Sequence, residues 1–154
     1  MIIIELTEAI QRAKANEDVK KLKDYFLCSC FACIKTSSDK INEWTLLFYN
    51  QKKNLVLDVF VNDKFVTIGE ETPPLKEVEK PDFDAVKITV EEALAAVKDF
   101  KKSTINVLIT LHQKGVMVWT LSMITPDMMA TTFDIDAKTG KIIREESTSL
   151  VRRL

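Results

Sequence analysis

The sequence predicts an α+β fold in which one unit, a helix followed by a curled antiparallel sheet of three to four strands, occurs twice in tandem. Three observations predict it: an internal repeat, apolar residues at helical spacing at the start of each copy, and short alternating segments after each helix. The predicted boundaries are residues 1–68 for the first copy, 69–87 for a connector and 88–154 for the second copy. We expect the copies to form one compact unit, with sheets that pack together or continue edge to edge.

The internal repeat is clearest at the two tryptophans. A shift of 75 residues places Trp44 on Trp119, and the chain has 2 tryptophans in all. Further upstream, a shift of 84 residues places residues 4–10 on residues 88–94. The difference between the shifts is nine residues, which predicts an insertion in the first copy around residues 13–21. We interpret the tryptophans as pillars of the core in each copy.

Each copy begins with a predicted helix. In the second copy, Thr89 and Glu92 form the T-x-x-E pattern of a capping box, and we expect the helix to end near residues 101–103. Its apolar stripe consists of Ala93, Leu94, Val97 and Phe100. The corresponding helix of the first copy covers about residues 6–24, with a candidate break at Asn16.

Alternating apolar residues predict four strands in each copy. In the first copy they are residues 26–35, 43–49, 55–62 and 65–68. In the second copy they are residues 105–111, 116–124, 131–136 and 141–145. Between the copies, residues 69–84 contain three prolines and six acidic side chains, which oppose both helix and sheet. This composition predicts the connector and explains the acidic middle of the chain.

The overall composition argues against two classes of partner. The 154 residues carry 22 basic and 23 acidic side chains, so the net charge of -1 gives no reason to expect a nucleic acid. The basic residues near the C-terminus lack interleaved aromatic residues and fit a solvated surface; they are Lys138, Lys141, Arg144, Arg152 and Arg153. No window approaches the roughly 20 apolar residues that cross a bilayer, so we expect no membrane partner.

The N-terminus and the cysteines predict a cytoplasmic protein. The apolar run at residues 1–4 is short and follows no basic segment, so we expect neither a signal peptide nor an anchor there. Cys28, Cys30 and Cys33 are an odd number of cysteines within six residues. A secreted disulfide framework would use an even number at wider spacing.

Two motifs of the second copy match the pattern of a known family. Residues 88–94 read Ile-Thr-Val-Glu-Glu-Ala-Leu, and residues 133–143 read Phe-Asp-Ile-Asp-Ala-Lys-Thr-Gly-Lys-Ile-Ile. With these motifs, residues 88–145 resemble the PepSY domain family. The first copy resembles it more weakly, because residues 62–64 replace the hairpin motif. The resemblance implies a helix before a curled, cystatin-like antiparallel sheet, and it implies binding or inhibition rather than catalysis.

The hairpin motif also has a purely structural interpretation. Gly140 can adopt a positive φ at the end of a short turn, and the side chains of Asp136 and Thr139 can bond to nearby backbone. The positions of Asp134, Asp136 and Glu145 resemble the offsets of a calcium-binding loop. We reject calcium because a lysine takes the fifth position and the required glycine is displaced.

The cysteine cluster permits a zinc or redox site as an alternative function. Zinc requires four ligands, and His112 is the single histidine of the chain. The shift of 75 residues places Cys30 and Cys33 on ordinary apolar strand positions, which favours packing over ligation. On a regular strand, Cys28 and Cys30 share one face and Cys33 points to the other, which is poor geometry for one metal.

The remaining candidates for chemistry are the histidine and the methionines. A lone His112 at a strand end is more often structural than catalytic. Met128 and Met129 lie beside a turn, a position typical of contact with the other repeat, a second subunit or a partner. The favoured interpretation is that these two methionines, like Met117 and Met123, fill the core.

These observations favour a non-catalytic, regulatory module that binds an unknown protein or peptide, with inhibition as one mode and a homodimer as one assembly. We expect no enzyme, and no residue is assigned to catalysis, to a cofactor or to a metal. A small-ligand or enzymatic pocket in the curled sheet is the alternative from a different class. A buried, polar cleft around His112 with several carboxylates would argue against the leading hypothesis.

Overall fold

The computed structural model describes residues 4–36, 39–100 and 102–151. The helices are α1 (Leu6–Ala15), α2 (Glu17–Lys20) and α3 (Val90–Ala96), and a 3-10 helix covers Phe83–Ala85. The strands of the first half are β1 (Tyr25–Ile34), β2 (Glu43–Asn50), β3 (Leu55–Asn62) and β4 (Val66–Thr72). Those of the second half are β5 (Asn106–Lys114), β6 (Val116–Ile124), β7 (Met129–Asp136) and β8 (Ile142–Ser149).

The eight strands form one antiparallel sheet in the order β4-β3-β2-β1-β5-β6-β7-β8. The mixture of helices and antiparallel sheet confirms the α+β prediction. The prediction of sheets of only three to four strands is wrong, because the first strand of each half pairs with the other, from Ser29 opposite His112 to Ile34 opposite Val107. Without this pairing, β1 and β5 would each be an open edge strand with unpaired backbone N–H and C=O groups.

Two element boundaries, the ends of α3 and β4, differ from the predictions in a way that affects packing. Helix α3 ends at Ala96, before the predicted end, and Lys101 lies outside the described residues. The apolar stripe nevertheless packs, because a turn brings the Phe100 ring to 6.1 Å from that of Phe133. Strand β4 continues to Thr72, so the predicted connector begins inside the sheet. The break at Asn16 is confirmed, since its side chain accepts the backbone N–H groups that open α2.

The helices cover one face of the sheet, and the core lies between them. Trp44 and Trp119 are both buried there, with ring centroids 6.3 Å apart. The Trp44 indole N–H donates to the carbonyl of Ile4 at 3.0 Å, and that of Trp119 donates to the carbonyl of Ile88 at 2.9 Å. The interpretation of the tryptophans as core pillars is confirmed. Each one also fixes the chain just before a helix begins.

The two sequence motifs of the second half meet in space. Thr89 and Glu92 form the predicted capping box at the start of α3. In the hairpin, Gly140 has a φ of 81° and the Asp136 carboxylate accepts two backbone N–H groups of the turn. The buried carbonyl of Ala137 accepts the N–H groups of the two residues that precede Thr89, at 2.8 and 2.9 Å. The hairpin therefore holds the entry to the helix.

No helix in the described ranges is long and apolar enough to cross a bilayer. The apolar run at residues 1–3, together with Arg152 and Arg153, lies outside the described residues.

Candidate functional site

The face of the sheet opposite the helices, here called the outer face, carries a cleft. Residues 72–79 pass over β1, β2, β3 and β5 and enclose a space of about 400 Å³ that is open to solvent. The floor, contributed by the sheet, consists of Cys28, Ser29, Leu47, Val56, Asp58, Thr110 and His112. We call this space the connector cleft, because the connector forms its roof.

The connector is held on the outer face by contacts with the β5–β6 hairpin. The backbone N–H of Asp82 donates to the side chain of Gln113 at 3.1 Å, and the N–H of Gly115 donates to Glu79 at 3.2 Å. The ammonium group of Lys80 lies 5.8 Å from the centre of the Phe26 ring. The segment between β4 and Glu79 contains Pro73 and Pro74 and belongs to no strand. It crosses the cleft, which stays open to solvent.

His112 connects the cleft to a chain of polar side chains on the outer face. The Thr120 hydroxyl donates to Asp134 at 2.6 Å, so its oxygen accepts from His112 Nε2 at 2.8 Å. The hydrogen therefore sits on Nε2, and the lone pair of Nδ1 faces Lys76 Nζ at 3.4 Å. Burial, with the charges of Lys76 and Lys114, lowers the pKa of His112 to about 4, against the opposing effect of Asp134. The imidazole is neutral at pH 7.

Asp134 is the centre of this polar chain. It is 3% exposed, and its second oxygen accepts from Lys114 Nζ and Arg144 Nε, each at 2.9 Å. Burial opposes ionisation, but bonds from Lys114 and Thr120 and the charges of Lys114 and Arg144 hold its pKa below the usual value. The carboxylate thus joins side chains from β5, β6, β7 and β8 on one face.

Replacing Asp134 with asparagine should lower the free energy of unfolding by about 1–3 kcal/mol at pH 7. The variant removes the charge but keeps the size. Lys114 and Arg144 are 34% and 46% exposed and can hydrate, which keeps the loss below that for a fully buried pair. Because the folded pKa is depressed, the gap between wild type and variant should be complete at pH 7 and shrink below about pH 4. Urea unfolding at several pH values measures it.

Glu146→Gln is the matched control for Asp134→Asn. The Glu146 carboxylate contacts the same Arg144 at 2.7 Å but is 55% exposed. We expect a change within about 0.5 kcal/mol. Equal losses for both variants, or a gap that widens in acid, would contradict a buried ionic centre at Asp134.

The structure corrects the predicted faces of the cysteines. A β-bulge between Leu27 and Ser29 turns Cys28 to the outer face, where it lines the connector cleft, while Cys30 lies in the core on the helix face. Cys33 is exposed, with its sulfur 3.7 Å from the Asn106 side chain. Burial raises the pKa of Cys28 to about 11 and also raises that of Cys30. The three thiols therefore do not converge on one site.

The methionines divide between the core and the surface. Met117 and Met123 are both 3% exposed, in agreement with core filling. Met128 is 41% exposed and has a φ of 62°, and its carbonyl accepts the N–H of Leu150. The prediction of core filling is therefore wrong for Met128, and its role as a contact residue stays a prediction. Within the described ranges, no three side chains of the metal-ligating types His, Cys, Asp and Glu are grouped.

The cleft combines apolar side chains with carboxylates. Leu47 and Val56 supply apolar floor, and Asp58, Glu77 and Glu79 supply carboxylates. Asp58 has no hydrogen bond or ion pair to any of the described residues, and desolvation raises its pKa. The cleft is open rather than buried, so it differs from the polar enclosure that would have argued against a binding module.

No pattern along the sequence predicts this cleft. In the sequence His112 is a lone candidate and Asp134 belongs to a rejected calcium-loop pattern, although Thr120 joins the two side chains in the structure. The signal that could have revealed this link is the register of the paired strands, in which Thr120 lies opposite Asp134 and Asp134 lies opposite Arg144.

Known proteins resemble part of this chain in sequence and nearly all of it in fold. Residues 87–146 match the family model PepSY, described as "Peptidase propeptide and YPEB domain", which confirms the resemblance predicted for residues 88–145. No curated protein is significantly similar to the chain in sequence. A crystal structure described as "a putative lipoprotein" from Clostridium difficile 630 is similar, with a TM-score of 0.64 and 15% identity over 96% of this chain and 95% of that one. At this identity the likeness shows the fold alone.

Proposed function

Residues 87–146 match the PepSY family model, and we propose that this protein is a non-catalytic module that binds a protein or peptide partner, with inhibition or regulation of that partner as its role. The observation that carries the proposal is the connector cleft. Its volume of about 400 Å³ falls in the range of ligand-binding clefts, and its open form admits a chain that enters and leaves. The description of the family as a peptidase propeptide domain supports a protein as the partner.

The side chains of the cleft favour a partner segment that carries a positive charge next to apolar residues. Three carboxylates, Asp58, Glu77 and Glu79, line it against the single ammonium group of Lys76. Asp58 is partly desolvated and unpaired among the described residues, so a lysine or arginine of the partner supplies the missing positive charge. Leu47 and the connector prolines pack against the apolar side chains beside that cation.

The organisation of the chain belongs to the same proposal. Residues 1–68 and 88–154 are tandem copies of one unit, joined by residues 69–87. The matched carbonyls of Ile4 and Ile88, each bonded to a tryptophan, support this assignment. We place the protein in the cytoplasm, where its free cysteines stay reduced. Fractionation of cells that express the native chain tests the location.

An array of peptides that vary in charge and hydropathy tests the binding function. We expect the wild-type protein to retain peptides with a lysine or arginine next to aliphatic residues. Asp58→Asn should weaken that binding about tenfold or more, because it leaves the partner's cation without a counter-charge. Titration by fluorescence anisotropy with one retained peptide measures the loss.

Asp63→Asn is the matched control, because Asp63 is an exposed aspartate in the β3–β4 turn, outside the cleft. It should leave the affinity unchanged. Retention without preference for charge, or equal losses for Asp58→Asn and Asp63→Asn, would refute the cleft as the peptide site.

A small-ligand or enzymatic pocket is the second candidate function, and the neutral imidazole of His112 in the cleft favours it. Thermal stabilisation by a member of a metabolite panel, abolished in Cys28→Ala or Asp58→Asn, would support it over a peptide site. A zinc or redox site is the third, and the separation of the thiols across the sheet disfavours it. Metal analysis and thiol titration of purified protein test it.

A further inference from the structure

We propose that this protein forms a symmetric dimer in which β8 pairs antiparallel with β8 of a second copy, about a two-fold axis at Ser147. The surface is separate from the connector cleft, so the proposal does not depend on the proposed function. It joins two eight-stranded sheets into one.

Strand β8 is an edge with a regular row of free backbone groups. It pairs with β7 on one side, and all eight of its residues are exposed. The N–H of Leu150 donates to the carbonyl of Met128 at 2.8 Å. Because bonding alternates along an antiparallel strand, the even-numbered residues bond to β7. The N–H and C=O groups of Glu145, Ser147 and Ser149 therefore point away from the sheet, as a template for another strand.

Exposed aliphatic side chains lie at both ends of this strand. Their exposed fractions are 45% for Ile142, 53% for Ile143, 47% for Leu150 and 57% for Val151. In an antiparallel pair about a two-fold axis, the start of one strand lies beside the end of the other. Ile142 and Ile143 of one copy then lie beside Leu150 and Val151 of the second copy, and the two-fold axis repeats this contact at the other end of the interface.

The charged residues in the middle of the strand exclude two registers, and the axis at Ser147 is compatible with them while it pairs the apolar ends. An axis at Glu145 or Glu146 places a glutamate directly opposite its own copy, which is destabilising. An axis at Ser147 places Glu145 opposite Ser149 of the second copy and Glu146 opposite Thr148 of the second copy. Across residues 143–151, no like charges then face each other. Arg144 is already neutralised within its own chain by Asp134 and Glu146.

The mass of the full chain in solution, measured by light scattering after size exclusion, tests the proposal. Ser147→Pro removes the N–H at the axis and the hydroxyl that bonds to Thr131 of β7 at 2.9 Å, but it keeps the backbone bonds to β7. We expect it to raise the dimer dissociation constant at least about tenfold. Ser147→Ala loses the same hydroxyl bond to Thr131 but keeps the backbone N–H, and it should remain dimeric. Circular dichroism checks that both variants are folded.

A charge pair tests the register and remains informative if Ser147→Pro does not fold. Ile143→Lys and Val151→Asp should each weaken the dimer, and the double variant should restore it, because these two positions face each other across the axis. A wild-type monomer at every concentration up to about 100 μM would overturn the proposal. So would a dimer that Ser147→Pro leaves intact, or a double variant no tighter than the single ones.

Discussion

Replacing Trp44 with alanine should lower the free energy of unfolding by about 3–5 kcal/mol, the cost of removing a large aromatic side chain from a core. Trp44 has no exposed surface, and its ring packs 6.3 Å from that of Trp119 across the middle of the sheet. The change also removes the donor to the buried carbonyl of Ile4 at 3.0 Å. Urea unfolding followed by circular dichroism at pH 7 measures the loss.

Three companion variants separate the causes of this loss. Trp119→Ala should cost a similar amount, because it occupies the corresponding position in the second half. Trp44→Phe keeps a ring but leaves the Ile4 carbonyl without its donor, which accounts for about 1–3 kcal/mol of the total. Phe65→Ala, at a side chain that is 65% exposed, should change stability within about 0.5 kcal/mol. A Trp44→Ala variant as stable as Phe65→Ala would show that the indole is not a core pillar.

The stability of the wild-type protein should fall as the pH is lowered from about 6.5 to about 4, and His112→Gln should remove this part of the dependence. The pKa of His112 is lowered to about 4 in the folded protein, from an ordinary value of 6.5. Between these values the unfolded chain binds a proton that the folded protein does not bind, so acid favours unfolding. Above the window neither state is protonated at His112, and below it both are.

The measurement is the difference between wild type and His112→Gln in urea unfolding from pH 8 to pH 4. Taking the difference cancels the carboxylates common to both proteins, and His112 is the single histidine of the chain. Glutamine keeps a donor for the Thr120 hydroxyl. Thr120→Ser is the control, because it keeps the hydroxyl between His112 and Asp134 and should keep the wild-type slope. Parallel slopes for wild type and His112→Gln would show that the imidazole is not held neutral by its surroundings.

Local signals in the sequence predicted the secondary structure because their causes are local. The capping box of Thr89 and Glu92, the break at Asn16 and the positive φ of Gly140 all depend on neighbours within a few residues. The prediction failed where a distant contact decided the outcome. Helix α3 ends early although its apolar stripe continues, because Phe100 reaches Phe133 through a turn instead.

The candidate site was less predictable, because it consists of residues that meet only across the sheet. The bulge at Cys28 reversed the face of one thiol relative to a regular strand. A bulge depends on the pairing of two strands, and periodicity along one strand cannot reveal it. The link from His112 through Thr120 to Asp134 likewise requires the register of three strands.

The sequence alone established the α+β class, the correspondence of the two tryptophans and the resemblance of residues 88–145 to the PepSY family. These follow from periodicity, from a shift of the chain on itself and from two motifs, all of which can be observed along one dimension. Two features depend on tertiary contacts instead: β1 pairs with β5 to join the halves into one sheet, and the connector crosses the outer face of that sheet. The reason is physical: an unpaired strand edge can be satisfied by several partners, and the whole fold selects among them.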